Sequence, residues 1–127
     1  MVDTPMIEAL SRFLDVDVAR HKLITTNLAN IDTPGYRTRD LDFRAELARA
    51  STQAFGVESG RLANASFTPV VRQVRGLMER PDGNNVSVER ESLLLAENQL
   101  KFNLAVQLLK GKFHGIALAI NSGGTAS

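Results

Sequence analysis

Apolar residues recur at helical spacing near both ends of the chain. In the first stretch Ile7, Leu10, Leu14, Val18, His21, Ile24, Leu28 and Ile31 follow one another three or four apart, and Phe13 widens the stripe. This spacing predicts one helix over residues 6–30, a rod of roughly 38 Å at 1.5 Å per residue. Thr4 or Asp3 is placed to cap its start, and Pro5 suits a first helical turn. In the second stretch Leu95, Phe102, Ala105, Leu109, Phe113, Ile116 and Ile120 share a stripe that Leu94, Val106 and Leu108 broaden. A helix is expected from near Ser87 to Ile120. Ser87 serves as its N-cap, Glu89 and Glu91 lie at the positive end of its dipole, and Lys110 and Lys112 lie toward the negative end.

The chain between these runs is less regular. Asn30, Asp32, Thr33, Pro34 and Gly35 end the first helix. Pro34-Gly35 fits the centre of a type II turn, in which glycine takes a positive φ. Residues 40–50 carry Leu41, Phe43 and Leu47 and predict a shorter helix, whereas residues 51–68 show no clean period and read as loop. Val70, Arg72 and Val74 suggest a short strand, and the turn signal Pro81-Asp82-Gly83 predicts a small β-hairpin from the Val70 region to Val86 and Val88. The expected fold is mainly α, with the two long terminal helices paired antiparallel as a coiled-coil-like core. Residues 1–50 plus 83–120 form that core, residues 51–82 an irregular middle, and residues 121–127 a flexible tail. Each helix must bury its stripe, and a lone pair leaves apolar surface for neighbouring subunits to cover.

Composition narrows the functional classes. A 127-residue chain is one domain, and 43% hydrophobic with 23% charged residues is too apolar for a wholly disordered one. The net charge of +1 gives no electrostatic case for a nucleic-acid partner. There is no Cys, which removes thiol chemistry and disulfides. No run of eighteen apolar residues predicts a membrane-spanning segment, and the N-terminal residues lack the basic-then-apolar pattern of a cleaved secretory signal.

Candidate chemistry is sparse. His21 and His114 are far apart and without ligand spacing, Asp15 and Asp17 do not share a helix face, and Asp40 with Asp42 is a weak opening for a metal. No glycine series forms a phosphate loop and no serine sits in a nucleophile elbow. No catalytic residue, metal site or cofactor is expected, so the chain reads as a non-enzyme. Asn27 and Asn98 are the notable polar residues. Each is expected either to fix helix register from a buried or inter-subunit position or to be solvated. Gly111 and Gly115 weaken a helix by roughly 1 kcal/mol each and suggest close helix contact or a frayed end.

The run Asn27-Leu28-Ala29-Asn30-Ile31-Asp32-Thr33-Pro34-Gly35-Tyr36 resembles the N-terminal signature of the flagellar rod, hook and hook-associated axial proteins. Arg39-Asp40-Leu41-Asp42-Phe43, Gly83-Asn84-Asn85-Val86 and Ala96-Glu97-Asn98-Gln99-Leu100 resemble the short proximal-rod members. Position 102 is Phe where Tyr is common in relatives. The resemblance implies a structural subunit of the basal-body rod that transmits torque in the drive shaft. It implies a periplasmic location and export through the flagellar type III apparatus. The implied partners are other copies, neighbouring rod proteins of the FlgC and FlgF type, the FliE adaptor with the inner-membrane ring, and the export gate. The implied turn and assembly residues are Asn27, Asn30, Thr33, Pro34, Gly35, Tyr36, Asp40 and Phe43. The implied packing residues are Leu10, Leu14, Ile24, Leu28, Leu95, Asn98, Phe102, Leu109 and Phe113, with Glu91 on the returning helix. Phe43 and Leu47 fit the loose export pattern of an aromatic residue followed by a hydrophobic one. A helical interaction module or an export-chaperone-like protein is the alternative.

Overall fold

The computed structural model describes residues 4–54 and 67–125. Their elements are α1 (Thr4–Ala29), β1 (Arg39–Asp40), α2 (Phe43–Ala54), β2 (Arg72–Gln73) and α3 (Val88–Thr125). The fold is mainly helical, and the two long helices pair antiparallel. Asn27 of α1 meets Glu91 of α3, and Asn98 of α3 meets the Asp17 carbonyl of α1.

Local chemistry sets the boundaries. Pro5 lies in the first turn of α1, where no backbone N–H is needed. Asp42 caps α2, its Oδ1 accepting the Ala45 N–H at 3.2 Å, which places the start at Phe43 rather than at residue 40. Ser87 caps α3 by accepting the Arg90 N–H at 3.2 Å. That helix runs on to Thr125 instead of stopping at Ile120, so most of the expected tail is helical.

The strand pairing differs from the expected hairpin. β2 pairs antiparallel with β1, with Arg39 opposite Gln73 and Asp40 opposite Arg72. Val88 opens α3 instead of joining a strand. The reason lies in α2, which holds the 67–74 segment beside it. Glu46 accepts the Val70 N–H, and Arg49 donates to the Thr68 carbonyl.

The core also departs from a simple two-helix seam. Val16, fully buried, packs with Leu41 and Ala50, and Ala19, Leu23, Phe43, Leu47 and Phe67 close around them. Phe13 meets Phe43 edge-on with centroids 5.1 Å apart. α1 is therefore clasped on two faces, by α3 and by α2. That is why Val18, placed in the sequence stripe, is 41% exposed, while Val16 is not exposed at all. Truncating Val16 to Ala should destabilise the fold by roughly 2 kcal/mol, whereas Val18→Ala should be near neutral. Urea unfolding of the two variants measures the difference.

Candidate assembly site at the helix turn

Where α1 ends, a turn in the chain meets a second turn brought back from far along the sequence. The first is closed by the Tyr36 N–H on the Thr33 carbonyl at 3.2 Å, with Gly35 at φ 74° as the Pro-Gly pair requires. The second is closed by the Gly83 N–H on the Arg80 carbonyl, with Gly83 at φ 86°. The two touch directly. The Gly35 N–H donates to the Asp82 carbonyl at 2.9 Å, and a Cβ on Gly83 would stand 3.4 Å from the Gly35 Cα.

Asn84 completes this junction from full burial. Its amide nitrogen donates to the carbonyls of Asn30, Ile31 and Thr33 at 2.9–3.0 Å. Its oxygen accepts the Val86 N–H at 2.8 Å, and Arg80 adds a bond to the Ile31 carbonyl. Asn84 thus adds a second donor to carbonyls that follow the end of α1 and that already accept the Thr33 N–H, Arg80 and the Tyr36 N–H. Asn30 turns its own amide back onto the Thr26 carbonyl and accepts the Thr33 hydroxyl. Asn85, also buried, accepts the Thr38 N–H at 2.7 Å.

One turn deeper sits Asn27, 1% exposed. Its amide nitrogen donates to the Arg39 carbonyl at 2.8 Å and to Glu91 Oε2 at 3.2 Å. Its oxygen accepts the Tyr36 hydroxyl at 2.9 Å and the Arg39 N–H at 3.1 Å. All four hydrogen-bonding positions of the amide are used, which joins α1, β1 and α3 through one side chain. Burial raises the Tyr36 pKa, opposed by Arg39 and reinforced by Glu91, so the phenol stays a donor.

Charge pairs extend the network. Asp40 accepts both Arg20 Nε and Nη2 at 3.1 Å, Arg90 Nη2 at 3.0 Å and its neighbour's N–H from Leu41 at 2.8 Å. Arg90 also reaches Glu91 Oε1 at 2.7 Å. A path of paired charges therefore runs Arg20–Asp40–Arg90–Glu91 and ends on Asn27. Asp40 is thus committed to two guanidinium groups, and Asp42 to its cap. Among the described residues no group of three acidic or histidine side chains could hold a metal ion.

The structure gathers Asn27, Asn30, Thr33, Pro34, Gly35, Tyr36 and Asp40 at this junction, and Phe43 lies beyond it against Phe13 and beneath Lys101. Leu47 packs on the α1–α2 core. Along the seam Leu10, Ile24 and Asn98 are buried, and Leu14, Leu28, Leu95, Phe102 and Leu109 are half-buried. Phe113 is 54% exposed, so the intrachain seam has ended by that point. A Cβ on Gly111 or Gly115 would meet nothing within 4 Å, so of the two readings of these glycines a close helix contact is not made inside this chain.

Sequence reasoning missed Arg20, Arg90, Asp17 and the capping role of Asn84. The Asn-Asn pair after Pro-Asp-Gly was the available signal for Asn84. Asp17 had none, because its burial depends on what α3 lays over it. Both Asp17 carboxylate oxygens are buried without a partner, as is Asn98 Oδ1. Burial raises the Asp17 pKa to about 6, against the lowering influence of Lys101, His21 and Arg20.

No family model matches the chain. Curated relatives do. The flagellar basal body rod protein FlgB of Escherichia coli K12 is 30% identical over an alignment 133 positions long, covering 92% of this chain and 96% of the relative. FlgB of Cereibacter sphaeroides is 37% identical over 106 residues, covering 80% and 82%. FlgB of Bacillus subtilis 168 is 29% identical over 121 residues, covering 92% and 94%.

Two predictions follow from the junction. Asn27→Leu should cost about 3 kcal/mol, because it strands the Arg39 carbonyl and a Glu91 oxygen in the interior; chemical denaturation measures it. Asp17 binds its proton more tightly when folded, so its contribution is full below about pH 4 and lost as pH rises through about 6. Thermal melts should show wild type falling relative to Asp17→Asn between pH 4 and 6.5, with the variant the more stable at pH 7.5. Coverage and identity agree, and the chain belongs to the FlgB family of flagellar basal body rod proteins.

Proposed function

We propose that the chain is a structural subunit of the proximal rod of the bacterial flagellar basal body, and that it transmits torque as part of the drive shaft. Similarity to FlgB proteins over nearly the whole chain carries the reading. The shape of the apolar surface supports it. α3 buries one face against α1, yet Leu93, Leu100, Leu104, Leu108 and Leu118 are each more than half exposed. Leu93, Leu100 and Leu104 run down the opposite side of the helix at spacings of seven and four, and Gly111, Gly115 and Leu118 continue the line. A helix with apolar stripes on two opposed sides is built to be covered on both. No helix among the described residues is long and apolar enough to cross a membrane, and a lipid-spanning role is not invoked.

The partners in this reading are other copies of the chain, neighbouring rod proteins of the FlgC and FlgF type, and the FliE adaptor at the inner-membrane ring. The location is the periplasmic rod, reached through the type III export gate. The proposed roles divide by place. Asn27, Asn30, Thr33, Pro34, Gly35, Tyr36 and Asp40 hold the turn that carries the helix pair, and Phe43 anchors the chain that follows. Leu10, Leu14, Ile24, Leu28, Leu95, Asn98, Phe102 and Leu109 form the seam, and Phe113 contacts a neighbour. Phe43 and Leu47 are packed in the folded chain, so any reading of them by the export gate precedes folding. Torque passes through many staggered helix contacts, none of which need be strong, and no step is catalytic.

The double variant Leu100→Glu, Leu104→Glu tests the reading. Both positions are exposed, so helicity by circular dichroism should match wild type. In a strain lacking the native gene, the variant should be absent from purified basal bodies and the cells should not swim. Normal swimming with the variant present in basal bodies would overturn the assignment of this face to assembly.

A further inference from the structure

The two-stranded sheet has one closed edge and one open edge. The Val74 N–H donates to the Thr38 carbonyl at 2.9 Å, so Thr38 and Val74 face each other as a hydrogen-bonded pair. In an antiparallel ladder such pairs alternate with pairs whose main-chain groups point away from each other. Arg39 and Gln73 come next and are of the second kind. The N–H and C=O of Arg39 accordingly turn outward from β1, where the Asn27 amide takes both, at 3.1 and 2.8 Å. That one side chain does on the edge of β1 what a third strand would do. By the same alternation the N–H and C=O of Gln73 turn outward from β2 on the opposite side. Both residues of β2 are exposed, and among the described residues nothing bonds to the Gln73 main chain there.

Arginines flank that open position. Arg72 precedes Gln73, Arg75 follows Val74, and both are exposed. Together with Arg37 they line a cleft of about 980 Å³ that runs past Gln73 and Val74, and no acidic residue lines it. Arg37 is paired with Glu79 at 2.9 Å. Arg72 and Arg75 have no acidic partner among the described residues. Asp40, which stands opposite Arg72 in the ladder, is held by Arg20 and Arg90 instead. Two uncompensated guanidinium groups therefore bracket one unpaired strand position, on a chain whose net charge is only +1. This combination selects the occupant. Edge-to-edge pairing of two copies would set arginine against arginine, so the edge is guarded against its own kind. A phosphate group or a lipid headgroup would satisfy the guanidinium groups but not the spaced donor and acceptor of Gln73. A peptide main chain satisfies those, and its carboxylate side chains satisfy the arginines.

We propose that the outer edge of β2 takes an extended, acidic segment of another protein as a third strand. The main chain of the segment exchanges two hydrogen bonds with Gln73, and carboxylates on either side of its paired residue meet Arg72 and Arg75. The main-chain bonds set the register and the arginines choose an acidic sequence. Arg37 stays with Glu79 and contributes through its position beside the cleft. The surface belongs to the sheet and to neither long helix, so the inference goes beyond the rod reading and stands or falls apart from it.

Amide NMR of the full chain, titrated with a short end-capped peptide of alternating valine and glutamate, tests the proposal. The Gln73 amide should shift and become protected from solvent exchange at or below about 1 mM peptide. The same peptide with glutamine in place of glutamate should bind about tenfold more weakly, as should the acidic peptide to the double variant Arg72→Glu, Arg75→Glu. Gln73→Pro separates strand pairing from charge attraction. It deletes an N–H that the β1 ladder does not use and leaves every arginine in place, and binding should again fall about tenfold. Continued slow exchange of the Thr38 and Arg39 amides shows that each variant keeps the sheet. N-methylation of the central amides of the peptide removes its donors without altering the protein and should weaken binding in the same way. Undiminished binding of the N-methylated peptide, or of the acidic peptide to Gln73→Pro, would mean attraction by charge alone and would overturn the proposal. So would no binding of the acidic peptide at about 1 mM. Inorganic phosphate or phosphatidylglycerol vesicles binding at Arg72 and Arg75 as tightly as the peptide would assign the cleft to anions in general and overturn it equally.

Discussion

A single buried amide organises this protein. Asn27 sits where the end of α1, the strand after the turn and the start of α3 converge, and it bonds to all three. An unpaired polar group in that position would cost about as much as several exposed contacts could return. The members of the junction support one another. Glu91 is bonded to Asn27 and Arg90, Asp40 to Arg20 and Arg90, and the carbonyls after α1 to Asn84. Register follows from this. Sliding α3 by one residue along α1 would separate Asn27 from Glu91 and Asn98 from the Asp17 carbonyl together.

The arrangement divides labour along the helix pair. At one end polar groups are paired almost to saturation, which gives a defined angle and phase. At the other end α3 continues past its partner with exposed apolar side chains. Between them Asp17 and Asn98 leave three buried acceptors without donors, a weak point in the seam. A rigid turn with a more lightly held shaft suits a subunit that must be shaped before it joins its neighbours and fully ordered afterwards. In the proposed rod the ordering entropy of that end, on the order of 1–2 kcal/mol per residue, would be offset by burial against a neighbouring subunit.

Much of this was legible in the sequence. The 3.6-residue period gave both long helices, Ser87 gave the cap of α3, and Pro34-Gly35 gave a turn with positive φ that Gly35 adopts. Asn27 stands out in the sequence as a polar residue on a helix, either register-setting or solvated. What stayed hidden depended on a third body. α2 covers the side of α1 that carries Val16, so a one-stripe reading chose Val18 and missed Val16. Likewise β2 pairs with β1 because Glu46 and Arg49 hold its segment against α2, contacts between positions nineteen and twenty-four residues apart for which no local pattern exists. The charge path from Arg20 to Glu91 was invisible for the same reason, since its members come from three separate elements.

Amide hydrogen exchange on the free chain tests the central claim most directly. The Thr38 N–H is held by Asn85, the Arg39 N–H by Asn27 and the Gly35 N–H by Asp82, all outside any helix. If the amide-centred junction is what fixes the helix pair, these three should exchange as slowly as the most protected amides of α1, through global unfolding alone, while the protons beyond Ile116 exchange far faster. Exchange of Thr38 and Arg39 at the rate of the α3 end would contradict the account.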